Sequence, residues 1–301
     1  MDDWVVLLYY YYIPIENTIK YKQDHISFLK KYDFRGRIII SSEGLNGTLS
    51  GKQMECEEYI KFVKKDIEFK NIEFKIDKCD GHLFPKLSVK IRNNLININR
   101  DDLNPNIETG IHITPKKFLE KMNESNSIVV DMRSNYEHHI GKFKNAITFD
   151  IKHFLTLEEN IKNSKFYIDD NKDKDILTYC TGGIRCEKAS ALLLKMGFKN
   201  VYQLDGGIIK YGNEVGGENF EGKCYVFDNR ITKVVNKINP KVISKCYICK
   251  ITEDTMVNCI NTKCNRHTTI CKKCYIKMEG CCSYECINSK FKRSILKSYH
   301  K

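Results

Sequence analysis

The sequence contains no apolar run long enough to cross a lipid bilayer. Its most apolar stretch, residues 4–13, has roughly half the length that a transmembrane helix needs. Asp2 and Asp3 precede it, whereas the first part of a signal peptide is basic. These features argue against a membrane span and a secretory leader. We therefore expect a soluble, cytoplasmic protein in which this stretch is a buried strand.

The sequence also lacks the GxGxxG fingerprint that binds flavin or nicotinamide dinucleotides. No set of two histidines and one carboxylate for a mononuclear iron site can be recognised either. The sequence thus indicates none of these redox groups, and it identifies neither an electron donor nor an oligomeric state.

Residues 1–100 have the pattern of a ferredoxin-like α+β domain. Their predicted elements follow the order βαββαβ, which is typical of that fold. Strands are predicted at residues 4–12, 37–41, 48–50 and 72–76, and helices at residues 16–31 and 52–65. Residues 42–47 predict a turn, and a further basic strand is expected at residues 86–92.

Residues 111–220 predict a second domain, built around a parallel sheet. The Asn- and Asp-rich residues 93–110 are the predicted linker, and Thr114 with Pro115 begins the first helix. From there strands alternate with helices, as in an α/β fold. The strands are predicted at residues 128–131, 176–179 and 201–204, and helical segments at residues 136–140 and 186–196.

Nine of the 14 cysteines fall within residues 246–286, in a segment poor in long apolar runs. CxxC pairs at this density favour metal over disulfides, and zinc over an iron–sulfur cluster. We expect residues 241–289 to be a small Cys-rich module held together by zinc. Alternate pairing would place Cys246, Cys249, Cys271 and Cys274 on one ion, and Cys259, Cys264 and two of Cys281, Cys282 and Cys286 on another.

Positive charge is concentrated near the end of the chain. The formal net charge is +12, and residues 241–301 hold 13 lysines and arginines against four acids. Zinc-bound thiolates would offset part of this excess. The remaining charge would attract a polyanion such as nucleic acid. It is equally typical of a solvated surface in a lysine-rich proteome.

A strand–loop–helix segment carries the strongest catalytic signal, in the loop Cys180-Thr181-Gly182-Gly183-Ile184-Arg185. Backbone N–H groups of such a loop form an anion nest, and the following helix adds its positive end, so a Cys180 thiolate would be stabilised. Arg185 would close the loop and offer a bidentate charge to an incoming anion. Four residues separate Cys180 from Arg185, one fewer than in cysteine-based phosphatases, which suits a sulfur better than a phosphate.

Other interpretations of these residues stay open. A buried cysteine beside a turn would explain Cys180 without catalysis, although the complete loop favours a nucleophile. Cys186 could resolve a persulfide as a disulfide partner, or it could be a packed helix residue. Asp131, Arg133 and Glu137 are expected to pair with one another and brace the domain.

The run of twelve residues from Tyr179 to Ser190 resembles the signature of the rhodanese-domain tRNA uridine hydroxylase family. The resemblance extends over nearly the whole chain, through residues 34–37, 42–47, 131–137, 141–146 and 203–208 and the C-terminal cysteine pattern. It implies a central rhodanese domain and hydroxylation of carbon 5 of the wobble uridine in certain tRNAs, with molecular oxygen. It also implies a persulfide at Cys180.

With tRNA as the implied partner, five basic residues could hold its phosphates: Arg35, Arg37, Lys86, Lys90 and Arg92. Without the resemblance they are better explained as solvated strand faces. Two other functions are considered, a rhodanese-type sulfurtransferase and a zinc-dependent RNA- or protein-binding module with a vestigial rhodanese domain. The intact Cys180 argues against the module, and the additional domains argue against a plain sulfurtransferase.

Overall fold

The fold is that of a computed structural model, which describes residues 3–293. Its first part is a five-stranded sheet with two helices packed on one face. The elements are β1 (Trp4–Tyr12), α1 (Thr18–Leu29), β2 (Arg35–Ser41), β3 (Gly44–Lys52), α2 (Gln53–Lys64), β4 (Phe74–Cys79) and β5 (Leu87–Ile91), with a 3₁₀ helix at Ile67–Phe69 before β4.

The strand order of this first sheet is β4-β1-β3-β2-β5. The first four strands pair antiparallel in the ferredoxin-like order, which confirms that prediction, and β5 adds an edge parallel to β2. The predicted turn at residues 42–47 is wrong in length, because β3 already begins at Gly44. The glycines of β3 are typical of a turn, which is why the sequence did not predict a strand there. At Gly47 glycine is required, because a Cβ would lie 2.1 Å from the Tyr9 ring.

Strand β1 is covered on both faces. Leu7 and Tyr9 belong to the core beneath α1 and α2. Leu8 and Tyr10 alternate with them and point to the opposite face, which is turned toward the second part of the chain. Coverage on both faces explains why the sequence of β1 is continuously apolar.

The second part is a parallel sheet with helices on both faces, which confirms the predicted α/β domain. Its elements are β6 (Ile111–Ile113), α3 (Pro115–Met122), β7 (Ser127–Asp131), α4 (Asn135–Ile140), β8 (Gly141–Phe143), β9 (Ile147–Thr148), α5 (Leu157–Lys162), α6 (Asp169–Lys172), β10 (Asp175–Tyr179), α7 (Ile184–Lys195), β11 (Asn200–Leu204) and α8 (Gly207–Val215), with a 3₁₀ helix at Phe154–Thr156. The sheet order is β6-β11-β10-β7-β9, so β10 is central. Residues that follow β7 and β10 therefore meet at one edge of the sheet.

The last part of the described chain consists of short elements. They are β12 (Phe220–Gly222), β13 (Cys224–Tyr225), β14 (Thr232–Lys233), β15 (Met256–Asn258), β16 (His267–Thr269), α9 (Lys272–Lys277) and α10 (Tyr284–Ile287). Seven cysteines make up most of its buried cluster, together with Val257, Ile260, Ile270 and Tyr275. So small an apolar core is typical of a metal-stabilised module. Within residues 3–293, no helix is long and apolar enough to cross a membrane.

Candidate active site

Cys180 lies directly after β10, fully buried, with the loop wrapped around its sulfur. The Gly183 N–H donates to Cys180 Sγ at 3.1 Å, and the Arg185 N–H also donates to it. Gly183 has a φ of +105°, which side chains rarely adopt, and a Cβ there would lie 2.6 Å from the Tyr10 hydroxyl. Glycine at this position therefore lets the loop close around the sulfur.

The surroundings of Cys180 favour its thiolate. Burial alone would raise the pKa of Cys180, but the Cys186 thiol donates a hydrogen bond to its sulfur, and the Arg185 guanidinium and the loop N–H groups add positive potential. Together they lower the pKa of Cys180 to about 5. Burial and the neighbouring Cys180 raise the pKa of Cys186 well above its usual range. At neutral pH, Cys180 is thus the thiolate and Cys186 the thiol.

The lowered pKa predicts the pH dependence of alkylation at Cys180. The thiolate reacts with iodoacetamide, so the rate should be maximal at neutral pH and fall only as the pH drops through about 5. In Cys186→Ala the midpoint should rise by about one to two pH units, since a hydrogen bond to the thiolate is lost. Peptide mass spectrometry measures labelling at Cys180, with Cys79→Ala as the control. An unchanged midpoint in Cys186→Ala would contradict this assignment.

Arg185 is bound to a carboxylate on the opposite side of the loop. Its Nη1 and Nη2 donate to the two oxygens of Glu137 at 2.5 and 2.7 Å, and Glu137 is fully buried in α4. The Thr181 hydroxyl donates to the same carboxylate at 3.2 Å. Glu137 thus accepts two of the guanidinium N–H groups, and a bidentate contact of Arg185 with an incoming anion stays a prediction. Arg185 acts on Cys180 through its charge and its backbone N–H.

The first domain holds the loop from the other side. Lys75 Nζ in β4 donates to the Gly182 carbonyl at 3.1 Å and lies 4.9 Å from the centre of the Tyr10 ring. The Tyr10 hydroxyl donates to Glu187, in the first turn of α7, at 3.1 Å. Neither Lys75 nor Tyr10 was predicted from the sequence to contact the loop. The continuously apolar β1 was the available signal, since it implied a second covered face.

A cleft of about 540 Å³ opens between the two domains and reaches Cys180. Its walls include Leu8 and Arg37 of the first sheet, Tyr136 of α4, and Phe227 beyond β13. The volume lies in the range of small-molecule sites, and the lining combines apolar side chains with a few polar groups. Cys180 therefore lines a cleft with the dimensions of a small-molecule site.

Three of the five basic residues predicted to hold phosphates, Arg35, Arg37 and Lys90, lie on the face of the first sheet that is turned toward this cleft. In the parallel register of β2 and β5, Ile39 lies opposite Lys90. Arg37 and Ile39 line the cleft itself. Arg35 lies two positions before Arg37 and so on the same face, whereas Lys86 and Arg92 flank the two ends of β5. Their binding to phosphates stays a prediction.

Comparisons with known proteins match each part of this architecture. A UPF0176 acylphosphatase like domain matches residues 4–95, a rhodanese-like domain residues 114–214, and a rhodanase C-terminal domain residues 221–287. A tRNA uridine(34) hydroxylase of Cytophaga hutchinsonii is 49% identical over 244 residues, which cover 81% of this chain and 77% of that protein. The chain belongs to the tRNA uridine(34) hydroxylase family.

Two further tRNA uridine(34) hydroxylases show the same extent of similarity. The protein of Shouchella clausii is 44% identical over 247 residues, covering 81% of this chain and 76% of its own length. The protein of Bacillus pumilus is 45% identical over 243 residues, covering 80% and 74%. The resemblance inferred from the residues around Cys180 is thereby confirmed at the level of the family.

In this member of the hydroxylase family, eight C-terminal cysteines form two groups of four. The sulfurs of each group lie within 4.8 Å of one another; the groups are Cys246, Cys249, Cys271 and Cys274, and Cys259, Cys264, Cys282 and Cys286. One sulfur pair in each group is 3.6 Å apart, close to the ~3.8 Å expected around a tetrahedral ion with metal–sulfur bonds of about 2.3 Å. Each group could hold one metal ion. Cys281, also a predicted candidate, lies outside both groups.

Proposed function

We propose that this protein hydroxylates carbon 5 of uridine 34 in tRNA, with Cys180 as the catalytic nucleophile. The observation that carries the proposal is a stabilised thiolate at the base of a cleft, in a chain whose relatives are named for this reaction. The N–H groups of the loop around Cys180 can hold the negative charge of its sulfur during a reaction.

Addition of the Cys180 thiolate to carbon 6 of the uracil would activate carbon 5. The sulfur–carbon bond forms while the electrons of the carbon 5–carbon 6 double bond move onto oxygen 4, and carbon 5 becomes nucleophilic. After carbon 5 has bonded to oxygen, it loses its proton and the thiolate leaves, which restores the double bond. A thiolate with a lowered pKa suits both steps, because it is ionised at neutral pH and is also a good leaving group.

Molecular oxygen is the proposed source of the new hydroxyl group. Conversion of a C–H bond to C–OH by dioxygen consumes two electrons and two protons, and the second oxygen atom leaves as water. A separate donor supplies these electrons. A persulfide, formed when the Cys180 thiolate takes sulfane sulfur from a separate donor that leaves reduced, is a second proposed state of Cys180. Cys186 lies within hydrogen-bonding reach of Cys180; once it has lost its proton, it would attack the inner sulfur, which gives a Cys180–Cys186 disulfide and releases sulfide.

Expression of the gene in a bacterial host without its own homologue tests the function. Total tRNA is digested and 5-hydroxyuridine is quantified by mass spectrometry, with and without the gene. The expected result is that 5-hydroxyuridine appears only with the gene. Unchanged nucleosides together with fast sulfur transfer from thiosulfate to cyanide by the purified protein would instead establish the sulfurtransferase.

We further propose that each group of four cysteines binds one structural zinc ion. Thiolates are preferred ligands of zinc, and three of the four cysteines in each group are buried. All 14 cysteines are free of disulfide bonds, in keeping with the reducing cytoplasm as the proposed location. The zinc would hold the segment together and take no part in the reaction at Cys180.

Adjacent cysteines provide a matched test of zinc binding. Protein purified under reducing conditions should contain about two zinc ions per chain. Cys282→Ser should lose one of them, because Cys282 belongs to the second group, whereas Cys281→Ser should keep both. Elemental analysis measures the ratio. Equal zinc content in the two variants would contradict the assigned ligands.

A further inference from the structure

We propose that the cleft above Cys180 binds one unstacked nucleotide, with its base stacked on Phe227 and its phosphate held by Arg37. The inference rests on the proposed function, and it specifies how the RNA would be held. Both residues line the cleft that contains Cys180, and they belong to different domains. The nucleotide would therefore be held across the domain boundary.

Phe227 offers an aromatic surface to this cleft. Its side chain is 59% exposed, more than any other phenylalanine in residues 3–293. The Arg185 guanidinium lies 5.6 Å from the ring centre, and Tyr225 meets the ring edge-on at 5.2 Å. These contacts hold the ring in place and leave much of its surface open. Bases of single-stranded nucleic acids stack on aromatic side chains of this kind.

Basic side chains from both domains supply positive charge at the rim of the cleft. Arg37 is exposed on β2, and its guanidinium has no carboxylate partner in the described part of the chain. Lys152 and His153 are exposed on the rhodanese side of the same cleft. A basic rim above an aromatic and aliphatic interior has the chemistry for a single RNA strand, whose phosphates contact the cations while a base enters the cleft.

The dimensions of the cleft favour one nucleotide over a duplex. Its volume of about 540 Å³ is within the range for a single small ligand and leaves no room for stacked base pairs. Cys180 is buried by its own loop at the base of the cleft, so carbon 6 reaches the sulfur only if the base leaves its neighbours. The preferred RNA is therefore an unpaired loop.

A double-mutant cycle tests the stacking contact: the Phe227 ring and the base at position 34 of the RNA are removed separately and together. Full-length protein is titrated with an anticodon stem-loop that carries either uridine or an abasic site at position 34, and fluorescence anisotropy gives Kd. Phe227→Ala should weaken binding of the uridine stem-loop about 5- to 150-fold. It should have little effect on the abasic stem-loop, because the base that would stack is already missing.

Matched variants complete the test. Phe227→Trp should retain binding, and Phe291→Ala should behave as wild type, because Phe291 is exposed outside the cleft. Arg37→Ala should lower the slope of log Kd against log salt by about 0.7–1, whereas Lys20→Ala, on α1 outside the cleft, should not.

The outcomes separate this inference from the proposed function. Equal weakening of both stem-loops by Phe227→Ala, or no weakening, would overturn the stacking contact while leaving hydroxylation untouched. An unchanged salt slope in Arg37→Ala would overturn the phosphate contact. If the wild-type protein binds neither stem-loop, the proposed function itself fails.

Discussion

Cys180→Ser should reduce formation of 5-hydroxyuridine in tRNA by about 10³-fold or more. Serine has nearly the shape of cysteine, so the buried loop should keep its fold. The hydroxyl is not ionised at neutral pH, however, whereas the pKa of Cys180 is lowered to about 5. The loss should appear both in tRNA from the expression host and in single-turnover rates. Cys79→Ser, a half-buried cysteine outside the cleft, is the matched control.

The same variant also tests the covalent step. A stem-loop with 5-fluorouridine at position 34 should become covalently attached to the wild-type protein, because fluorine at carbon 5 cannot leave as a proton does. Cys180→Ser should form no such adduct. Normal product formation by Cys180→Ser would contradict both the nucleophilic role of Cys180 and its addition to carbon 6.

Asp131→Ala should lower the free energy of unfolding by about 3–5 kcal/mol. Asp131 and Arg133 are completely buried, and Arg133 donates to both carboxylate oxygens, at 2.9 and 2.7 Å. The Tyr179 hydroxyl donates to Asp131 at 2.6 Å. Removal of the carboxylate leaves a buried guanidinium without a counterion. Urea unfolding followed by circular dichroism measures the change.

Two comparisons make the test of Asp131 specific. Asp131→Leu combined with Arg133→Met should recover much of the stability that Asp131→Ala loses, because neither charge is then buried alone. Asp24→Ala removes one partner of an exposed ion pair and should change stability little. A loss in the double variant as large as in Asp131→Ala would indicate that the packing of the two side chains matters more than their charges.

Local sequence patterns were sufficient for the reactive loop. The strand that ends at Tyr179, the two glycines and the helix from Ile184 are all encoded within a short segment, and the structure places the N–H groups around Cys180 as expected. Backbone geometry of this kind depends on neighbours in the chain. Sequence reasoning could therefore identify the loop that surrounds Cys180 and the direction of the pKa shift of this residue.

Contacts between residues that are far apart in the sequence were harder to predict. Asp131, Arg133 and Glu137 were expected to form one group, but Glu137 binds Arg185 instead. The loop after β10 passes α4 only because β7 and β10 are neighbours in the sheet, and spacing along the chain does not encode this. Charge patterns indicate that carboxylates and guanidinium groups will pair, and the tertiary fold decides which ones do.

The contacts that the first domain makes with the loop around Cys180 could not be predicted from the sequence. Lys75 lies 107 residues before the Gly182 carbonyl that it contacts. Lysine in a strand usually indicates a solvated face, and nothing local to β4 distinguishes Lys75 from such a residue. The apolar β1 was the only local indication of a second covered face. It implied that another unit packs there and did not identify that unit.

Mapping the modified position in tRNA tests the central claim most directly. Cells that express wild-type protein, Cys180→Ser or Cys79→Ser are grown under isotopically heavy oxygen gas, and ribonuclease fragments containing position 34 are analysed by high-resolution mass spectrometry. Hydroxylation and thiolation change the fragment mass by similar amounts, but only hydroxylation by dioxygen incorporates the heavy isotope. We predict one heavy oxygen at uridine 34 with wild type and Cys79→Ser, and unmodified uridine 34 with Cys180→Ser. Sulfur at that position, label elsewhere in the tRNA, or full labelling with Cys180→Ser would contradict the account.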